Sequence, residues 1–296
     1  MTSASRPGVI LVTGATGRIG RLVVDELLRV GAPVRALTRR PKDAALPAGV
    51  EIVAGDLAVP ASLVPAFDGA AAVFLVWTAP AATAADVVAR LAEHPLPDPR
   101  RVVYLSSPHQ TPHPFFQQPN PMRDLHAGIE RLLASANLGV TVLRPGMFAS
   151  NARHWWAPQI QRGDVVRWPY AAAETAPVDE RDIAAVGART LLDARHTGAD
   201  YVLTGPESLS QAAQVRAIGD AIGRQLRLEE LSPDEFRQEA ASWPGGIAEM
   251  LLAAWQAALG RPAFVTAAIQ EILGCPARTF GQWAAGNASA FSRLEP

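Results

Sequence analysis

The stretch VILVTGATGRIGRLVVDEL, residues 9–27, decides the fold. Four apolar residues lead into three glycines, and apolar residues at helical spacing follow. In a strand–turn–helix unit the first glycine permits the tight turn, the second lets the backbone approach a pyrophosphate, and the third allows close helix packing. The helix N-terminus adds N–H donors and partial positive charge. The stretch therefore predicts a phosphate-binding turn formed by Gly14, Thr16, Gly17, Arg18, Ile19 and Gly20.

Short apolar runs alternate with amphipathic stretches over the first two-thirds of the chain, a pattern typical of βαβ units. The predicted strands are VILVTG, VRALTR, VEIVAGD, AAVFLVW, RVVYLSS, VTVLRPG and YVLTG. They are apolar without alternation, as expected when helices cover both faces of a sheet. Helices are predicted near residues 18–30, 60–67, 82–94, 122–137 and 180–195. The sequence predicts an α/β fold with a doubly wound parallel sheet of the Rossmann type.

The pattern changes near residue 206 to helix-rich segments, with Ser210 and Ser232 at the positions of N-caps. We predict a smaller, mainly helical C-terminal substrate subdomain. The nucleotide-binding domain would comprise residues 1–150 and 176–205, and the subdomain residues 151–175 and 206–296. The proline-rich segment 107–121 is predicted to be a loop, since proline removes donors and clashes with a preceding turn.

Composition excludes several classes of partner. The net charge of −1 and pI near 6.6 give no basic surface for nucleic acid or anionic lipid. Residues 69–85 carry no charge, but Pro80 and the many alanines favour a buried strand and loop over a membrane span. The single cysteine, Cys275, fits a reducing cytoplasm. We expect a small-molecule partner, and leave open a homodimer or a regulatory protein partner.

The end of the second predicted strand discriminates between the two dinucleotides. NAD-specific sites place an acidic residue there to bind the ribose 2′-hydroxyl. This chain has ALTRRPKD, residues 36–43, in which Thr38, Arg39 and Arg40 can bind a 2′-phosphate. NADP(H) is therefore favoured over NAD(H), unless the two arginines are only surface charge. The remaining predicted cofactor contacts follow later strands, namely Asp56, Leu57, Val76, Trp77, Thr78 and Pro145.

Five motifs together carry a resemblance to a known family. They are TGATGRIGR, GDL at residues 55–57, VVYLSS at 102–107, VTVLRPGMFASN at 140–151 and APVDERDIAAV at 176–186. In this combination the chain resembles the NmrA-like branch of the atypical short-chain dehydrogenases, over nearly its whole length. The resemblance implies a nucleotide-binding fold and one of several roles, since the family includes quinone oxidoreductases, azoreductase-like proteins and NADP-sensing regulators.

The resemblance also locates the helix that carries the catalytic pair in the wider superfamily. Its members commonly have Lys-x-x-x-Glu on this helix, ahead of an Arg-Pro-Gly. Here His126 and Glu130 precede Arg144-Pro145-Gly146 at matching distance, so His126 stands at the lysine position and Met122 at the tyrosine position. Because Lys42 is the single lysine, the usual Tyr-x-x-x-Lys pair occurs nowhere in the chain.

His126 is the principal catalytic candidate that follows. It would bind the nicotinamide ribose or relay a proton near neutral pH, unless it only fills space beside an apolar helix face. Ser106 and Ser107 stand where the resemblance places a substrate-orienting serine, with a serine in an ordinary turn as the alternative.

A quinone or another flat, activated acceptor suits a site without a dedicated acid, because a hydroquinone oxygen is a weaker base than a secondary alkoxide. The predicted substrate contacts are Phe115, Phe116, Phe148, Asn151, Trp155 and Trp156. Packing in the core is the alternative for the aromatic residues. The function predicted is NAD(P)H-dependent oxidoreduction, with a non-catalytic NADP(H) sensor as the alternative and a cofactor-retaining isomerase or cyclase also open. No metal site is predicted, since prolines flanking His109 and His113 exclude a helical ligand pair.

Overall fold

The structure is a computed structural model that describes residues 8–94 and 101–293. Its strands are β1 (Val9–Val12), β2 (Val34–Thr38), β3 (Glu51–Ala54), β4 (Ala70–Val76), β5 (Arg101–Leu105), β6 (Gly139–Pro145), β7 (Val165–Pro169), β8 (Glu174–Thr175), β9 (Asp200–Leu203), β10 (Leu209–Ser210) and β11 (Arg227–Leu231).

The α-helices follow the same chain order. They are α1 (Arg18–Arg29), α2 (Val64–Phe67), α3 (Ala84–Glu93), α4 (Pro121–Ser135), α5 (Asn151–Trp155), α6 (Ala157–Ile160), α7 (Glu180–Leu192), α8 (Gln211–Ile222), α9 (Pro233–Glu239), α10 (Ile247–Ala258), α11 (Ala268–Leu273) and α12 (Phe280–Gly286).

The chain divides into two compact units. The first comprises the described residues up to Ser107, together with Pro121–Arg144 and Glu180–Tyr201. The second comprises Pro108–Asn120, Pro145–Asp179 and the described residues from Val202 onward. The proline-rich segment, which we placed in the nucleotide-binding domain, thus belongs to the second unit, because its contacts are made there.

The first unit is built on a sheet with the strand order β3-β2-β1-β4-β5-β6-β9. β1 pairs in parallel with both β2 and β4, and the outer pairs β2–β3, β4–β5 and β5–β6 are parallel as well. The order reverses between β1 and β4, and open α/β sheets bind ligands outside the carboxyl ends of the strands at such a point. The predicted doubly wound parallel sheet is confirmed.

Helices cover both faces of this sheet. α1 and α7 pack together on one face, where Gly187 lets α7 approach the ring of Phe74. The helices α2, α3 and α4 bury apolar residues against the other face, which presents Val102 and Tyr104 of β5. Successive strand residues point to opposite faces, so a strand covered on both sides is apolar throughout.

The second unit combines helices with two short strand pairs. β7 and β11 pair in parallel, and β8 and β10 pair antiparallel. Ser210 caps α8 by accepting the Ala213 N–H, and Ser232 caps α9 in a capping box with Glu235. Both predicted N-caps are confirmed. None of these four strands was predicted.

Two further predictions concern the proline-rich segment and the uncharged residues 69–85. The proline-rich segment is not entirely a loop, because Pro114–Gln117 forms one turn of 3-10 helix, which proline at its first position permits. The uncharged residues 69–85 contain the buried strand β4. Across residues 8–94 and 101–293, no helix is both long and apolar enough to cross a membrane.

Candidate functional site

The turn between β1 and α1 has the backbone geometry that a bound pyrophosphate requires. Gly14 has a φ of +60°, a conformation that favours glycine, and its carbonyl accepts the Gly17 N–H at 2.8 Å. A Cβ on Gly20 would lie 2.2 Å from the Gly14 oxygen, so only glycine allows this approach. The first turn of α1 carries no acidic residue, and the first N–H groups of a helix have no acceptor within it. The residues present therefore fit a dinucleotide phosphate.

Thr13 fixes this turn to the neighbouring strand. Its hydroxyl accepts the Val76 N–H at 2.8 Å and lies 3.0 Å from the Val76 carbonyl oxygen, to which it can donate. Thr13 is fully buried. The bonds join the ends of β1 and β4, so they stiffen the sheet where its strand order reverses.

The loop after β2 presents two arginine side chains. Thr38 is buried and its hydroxyl accepts the Arg40 N–H at 3.2 Å, which orders the start of the loop. Arg39 and Arg40 are exposed, and Arg40 lies 3.8 Å from Asp43 across a loose surface ion pair. Lys42 is exposed in the 3-10 turn Pro41–Asp43 that follows. Positively charged side chains thus cluster in this loop, and no acidic residue stands at the end of β2.

The remaining predicted cofactor contacts differ in how far their side chains are exposed. Asp56 accepts the Ala58 N–H at 2.9 Å, Thr78 is exposed and Val76 is half-buried. Leu57 and Trp77 are core residues, 4% and 7% exposed. Both side chains pack inside the first unit, and the predicted contact of these two residues with the cofactor stays a prediction.

Pro145 completes that predicted set. It is buried at the end of β6 and belongs by its contacts to the second unit.

His126 on α4 is hydrogen-bonded to a buried tyrosine. Its Nδ1 lies 2.6 Å from the hydroxyl of Tyr104 on β5. Burial of the phenol and the negative charge of Glu130 hold the pKa of Tyr104 well above its usual value, and the charge of Arg144 only partly opposes them. Tyr104 therefore keeps its proton and meets Nδ1 as a neutral phenol. This bond fixes the orientation of the His126 ring.

Glu130, one helical turn after His126, anchors a second buried network. Both carboxylate oxygens of Glu130 accept from the Arg144 guanidinium, at 2.7 and 2.8 Å. Arg144 also donates through Nε to Asp200 and through a terminal nitrogen to the Ser107 carbonyl. Arg144 is 2% exposed, and a buried charge needs such partners to be tolerated.

The Ser106 hydroxyl donates to Glu130. A serine has one hydroxyl proton, so Ser106 in this arrangement has no proton left for a substrate carbonyl. The structure thus places the Ser106 hydroxyl against the Glu130 carboxylate, and its substrate-orienting role stays a prediction. Ser107 contributes its backbone carbonyl to Arg144.

The second unit contains a small, partly open cleft. Phe115, Phe116, Met147 and Phe264 supply most of its apolar lining, and Glu174 supplies a carboxylate. The two phenylalanine rings meet edge to face with centroids 5.0 Å apart. Two of the predicted substrate contacts, Phe115 and Phe116, are thus brought together in one pocket.

Asn151 and Phe148 lie near this cleft in the fold but do not line it. Asn151 directs its side-chain amide at the Met147 sulfur, 3.0 Å away, so it acts on the lining through Met147. Phe148 is half-buried and bridges to Val178 through the backbone.

The two predicted tryptophans belong to an aromatic cluster inside the second unit. Trp156 is fully buried, and Trp155 stacks on Trp168 with centroids 5.5 Å apart. Trp255 and Phe236 extend the cluster. The prediction that Trp156 stacks on a substrate is corrected, because its ring is enclosed by other aromatic rings. Trp155, which is half-buried, makes its ring contacts within the same cluster.

The described residues contain no group of three or more histidine, cysteine, aspartate or glutamate side chains that could hold a metal. His113 instead bonds to two backbone groups of the second unit, with Nδ1 accepting the Phe115 N–H and Nε2 donating to the Pro262 carbonyl. Cys275 is exposed.

Comparison with known proteins places this architecture in a family. The family model described as NmrA-like matches residues 7–259. The chain belongs to the NmrA-like family. The resemblance of its motifs to that family is confirmed.

Two relatives of this NmrA-like protein are named as reductases. It is 37% identical over 290 residues to the (4-alkanoyl-5-oxo-2,5-dihydrofuran-3-yl)methyl phosphate reductase of Streptomyces griseus, covering 96% of this chain and 99% of the relative. It is 28% identical to the NAD(P)H azoreductase of Xenophilus azovorans, with the same coverage of 96% and 99%.

Among solved structures, the NADPH-dependent quinone oxidoreductase QOR2 of Escherichia coli complexed with NADPH is similar to this NmrA-like protein with a TM-score of 0.77. The two sequences are 25% identical over 94% of this chain and 99% of that one.

Reasoning from the sequence of this NmrA-like protein missed Tyr104, Thr13 and Glu174. The sequence did contain a signal for Tyr104. Tyr104 and Ser106 are two residues apart on one strand, so their side chains point to the same face of the sheet, which is the face that α4 covers. No such local signal marks Glu174.

Proposed function

We propose that this NmrA-like protein is an NADPH-dependent oxidoreductase that reduces a quinone or another flat, conjugated carbonyl compound. The glycine turn is the observation that carries the nucleotide assignment, because the contact of Gly20 with Gly14 leaves no room for any side chain. The named relatives support the reductase class. The chain is an oxidoreductase that acts on a small molecule.

NADP(H) is the cofactor, held by the residues of the first unit. Gly14, Gly17 and the start of α1 would bind the pyrophosphate. Arg39 and Arg40 would neutralise the 2′-phosphate, which carries charge that the ribose hydroxyl of NAD lacks. QOR2, whose structure contains NADPH, supports this choice.

His126 would act as the polar group beside the reacting atoms. With Tyr104 as the donor to Nδ1, His126 would present an Nε2 proton, and a neutral imidazole N–H can donate to a ribose hydroxyl or to a substrate oxygen. Met122, at the position where the wider superfamily has its tyrosine acid, is 48% exposed and has no acidic proton.

The class of compound that accepts the hydride follows from the absence of a tyrosine at the position of Met122. When bound, NADPH supplies a hydride, and with one proton from solvent or His126 this converts a quinone to a hydroquinone and leaves NADP⁺. Little acid assistance is needed, because the oxygen of a hydroquinone is a weak base. The named acceptor groups of the relatives, which include a quinone and a conjugated furanone, agree with a planar conjugated acceptor.

A direct assay tests this proposal. The purified protein with NADPH and a panel of benzoquinones and naphthoquinones should consume NADPH well above the rate without protein. Replacement of NADPH by NADH should lower the rate at limiting cofactor concentration. Absence of consumption across the panel, by protein that binds NADPH in calorimetry, would contradict the proposed function.

A redox sensor that binds NADP(H) without turnover is the second candidate, and the exposed Met122 at the position of the acid is the observation that favours it. A sensor must bind NADPH and NADP⁺ with different affinity to report on redox state. Titration of the protein with each form by calorimetry separates the candidates: equal affinities together with quinone turnover select the enzyme.

A further inference from the structure

The side chain of Arg21 joins two parts of the first unit that would contact different ends of the cofactor. Its guanidinium donates through one terminal nitrogen to the Ala45 carbonyl at 2.7 Å and through the other to the Ala44 carbonyl at 3.1 Å. Arg21 lies in the first turn of α1, where its backbone N–H donates to the Gly17 carbonyl at 3.0 Å. The loop after β2 is therefore tied to the turn that would bind the pyrophosphate.

This loop is attached at both of its ends. At its start, the Thr38 hydroxyl accepts the Arg40 N–H at 3.2 Å. At its far end, Ala44 is 2% exposed and Ala45 has a φ of +44°, a left-handed conformation that is uncommon in residues other than glycine. Such a conformation persists where the surrounding structure holds it, and the two bonds from Arg21 are contacts of that kind.

The two arginines that would bind the 2′-phosphate lie between these attachments. Arg39 and Arg40 are exposed, so the ends of the loop, rather than burial, fix the position of their backbone. A site that is formed for only a fraction of the time has its Kd raised by the inverse of that fraction. Loss of the attachment at Ala44 and Ala45 would lower this fraction for the 2′-phosphate. It would leave the turn between β1 and α1 in place, because glycine and backbone contacts build that turn.

We infer that Arg21 is the positioning residue that gives this protein its preference for NADP(H) over NAD(H), because it holds the loop of Arg39 and Arg40 where a 2′-phosphate would bind. The inference rests on the proposed function, which assigns the 2′-phosphate to that loop. Arginine suits the task, since its planar guanidinium can donate to the carbonyls of two consecutive residues at once, whereas the ammonium of a lysine is a single point.

Lys42 reports on the order of this loop without any nucleotide. It is exposed and is the single lysine of the chain, so an endoproteinase specific for lysine cuts the protein once, inside the loop. Cleavage follows the population of the opened state when opening is fast. We expect Arg21→Ala to raise the initial rate of cleavage at Lys42 about tenfold or more. NADPH should slow the cleavage of the original protein more than NADH does.

Calorimetric titration with NADPH, and with NADH in competition against it, measures the preference itself. We expect Arg21→Ala to raise the Kd for NADPH about tenfold and to change the Kd for NADH by less than about twofold. Arg29→Ala is the matched control, because it removes the same charge from the same helix and Arg29 pairs with Glu26 instead of the loop. This control should leave both nucleotides and the cleavage at Lys42 unchanged.

Arg21→Lys separates the attachment from the charge. It keeps the positive charge but cannot reproduce the paired bonds to Ala44 and Ala45, so we expect it to recover only part of the preference. Full recovery by the lysine would assign the preference to charge alone and overturn the inference.

The inference is also overturned if Arg21→Ala is cleaved at Lys42 no faster than the original protein, if it weakens NADPH and NADH equally, or if the original protein has no preference for NADPH. None of these measurements depends on turnover. A protein that shows the dependence on Arg21 but reduces no quinone would lose the proposed function and keep this inference. A protein that reduces quinones, with a preference for NADPH that Arg21→Ala leaves unchanged, would do the reverse.

Discussion

The hydroxyl oxygen of Tyr104 lies 2.6 Å from Nδ1 of His126, in a hydrogen bond that joins strand β5 to helix α4. The other ring nitrogen, Nε2, can donate to a ribose or substrate oxygen when it carries a proton, and can accept from a hydroxyl when it does not. Tyr104 thus acts as a positioning residue for His126, and this relationship yields the first prediction.

Replacing Tyr104 with Phe should lower kcat for quinone reduction by about tenfold, because His126 loses the bond that orients its ring, and His126→Ala should lower it further. NADPH affinity, measured by calorimetry, should change less than kcat in Tyr104→Phe. Tyr201→Phe is the matched control, since Tyr201 makes the same bond to Nδ1 of His196 at 2.8 Å. Equal effects of the two tyrosine substitutions would contradict a specific role of Tyr104.

Tyr104 should also make the protein sensitive to high pH. Its pKa is raised in the folded state by burial and by Glu130, so the unfolded chain loses its proton first, and stability falls as pH rises above the unfolded value. The contribution of one such group is about 1.4 kcal/mol per pH unit above about pH 10. Urea unfolding of the original protein and of Tyr104→Phe between about pH 8 and 11 should show a smaller loss in the variant. Parallel curves would rule out the raised pKa.

Glu130→Ala should destabilise the first unit, because it leaves the buried Arg144 guanidinium without its two-oxygen partner. Loss of one member of a buried ion pair costs about 3–5 kcal/mol. Asp200→Ala is the comparison: the Asp200 side chain is 44% exposed, so water replaces it and the cost should be nearer 1 kcal/mol. The free energy of unfolding in urea measures both. A smaller loss of stability in Glu130→Ala than in Asp200→Ala would show that Glu130 is not the principal partner of Arg144.

Arg39→Ala and Arg40→Ala should weaken NADPH binding and leave NADH binding unchanged, since only NADPH has the 2′-phosphate. A lost charge-assisted hydrogen bond corresponds to about a 10- to 100-fold rise in Kd. Arg153→Ala, an exposed arginine of the second unit, serves as the control for loss of charge. Equal weakening of both nucleotides by Arg39→Ala would argue that this residue stabilises the loop instead.

Two buried tryptophans offer a stability test that is independent of activity. The Trp168 indole donates to Gln211 at 2.7 Å, whereas the Trp156 indole N–H finds no acceptor within the described residues. Trp168→Phe should therefore cost about 1–3 kcal/mol more than Trp156→Phe, which removes a similar ring area without stranding an acceptor. Thermal and urea unfolding report the difference. Identical losses would mean that ring volume alone sets the cost.

The strands β1 and β4 of the first unit were predictable because burial on both faces makes them apolar throughout. β11 was not predicted, since its sequence RLEEL carries three charged residues and only its last residue is fully buried. Pairing with β7, far away in the chain, holds β11 in place. Such pairing leaves little trace in local composition.

The cofactor turn was predictable for a related reason: Gly14 and Gly20 meet within seven residues, so one short stretch contains the whole geometry. The partner of His126 could not be found in the same way, because Tyr104 lies on another element. For Trp156 the residue type indicated a contact with the substrate, whereas the structure buries the ring. An aromatic side chain has the same sequence signature whether it stacks on a ligand or, as here, on other core rings.

Lys42 and Cys275 have a practical consequence for following this protein in solution. Each is the single residue of its type in the chain, both are exposed, and they belong to different compact units. A donor dye on the amine and an acceptor dye on the thiol would form an energy-transfer pair with one fluorophore on each unit. No residue would have to be replaced to install it, so movement between the units during nucleotide binding can be recorded on the unaltered sequence.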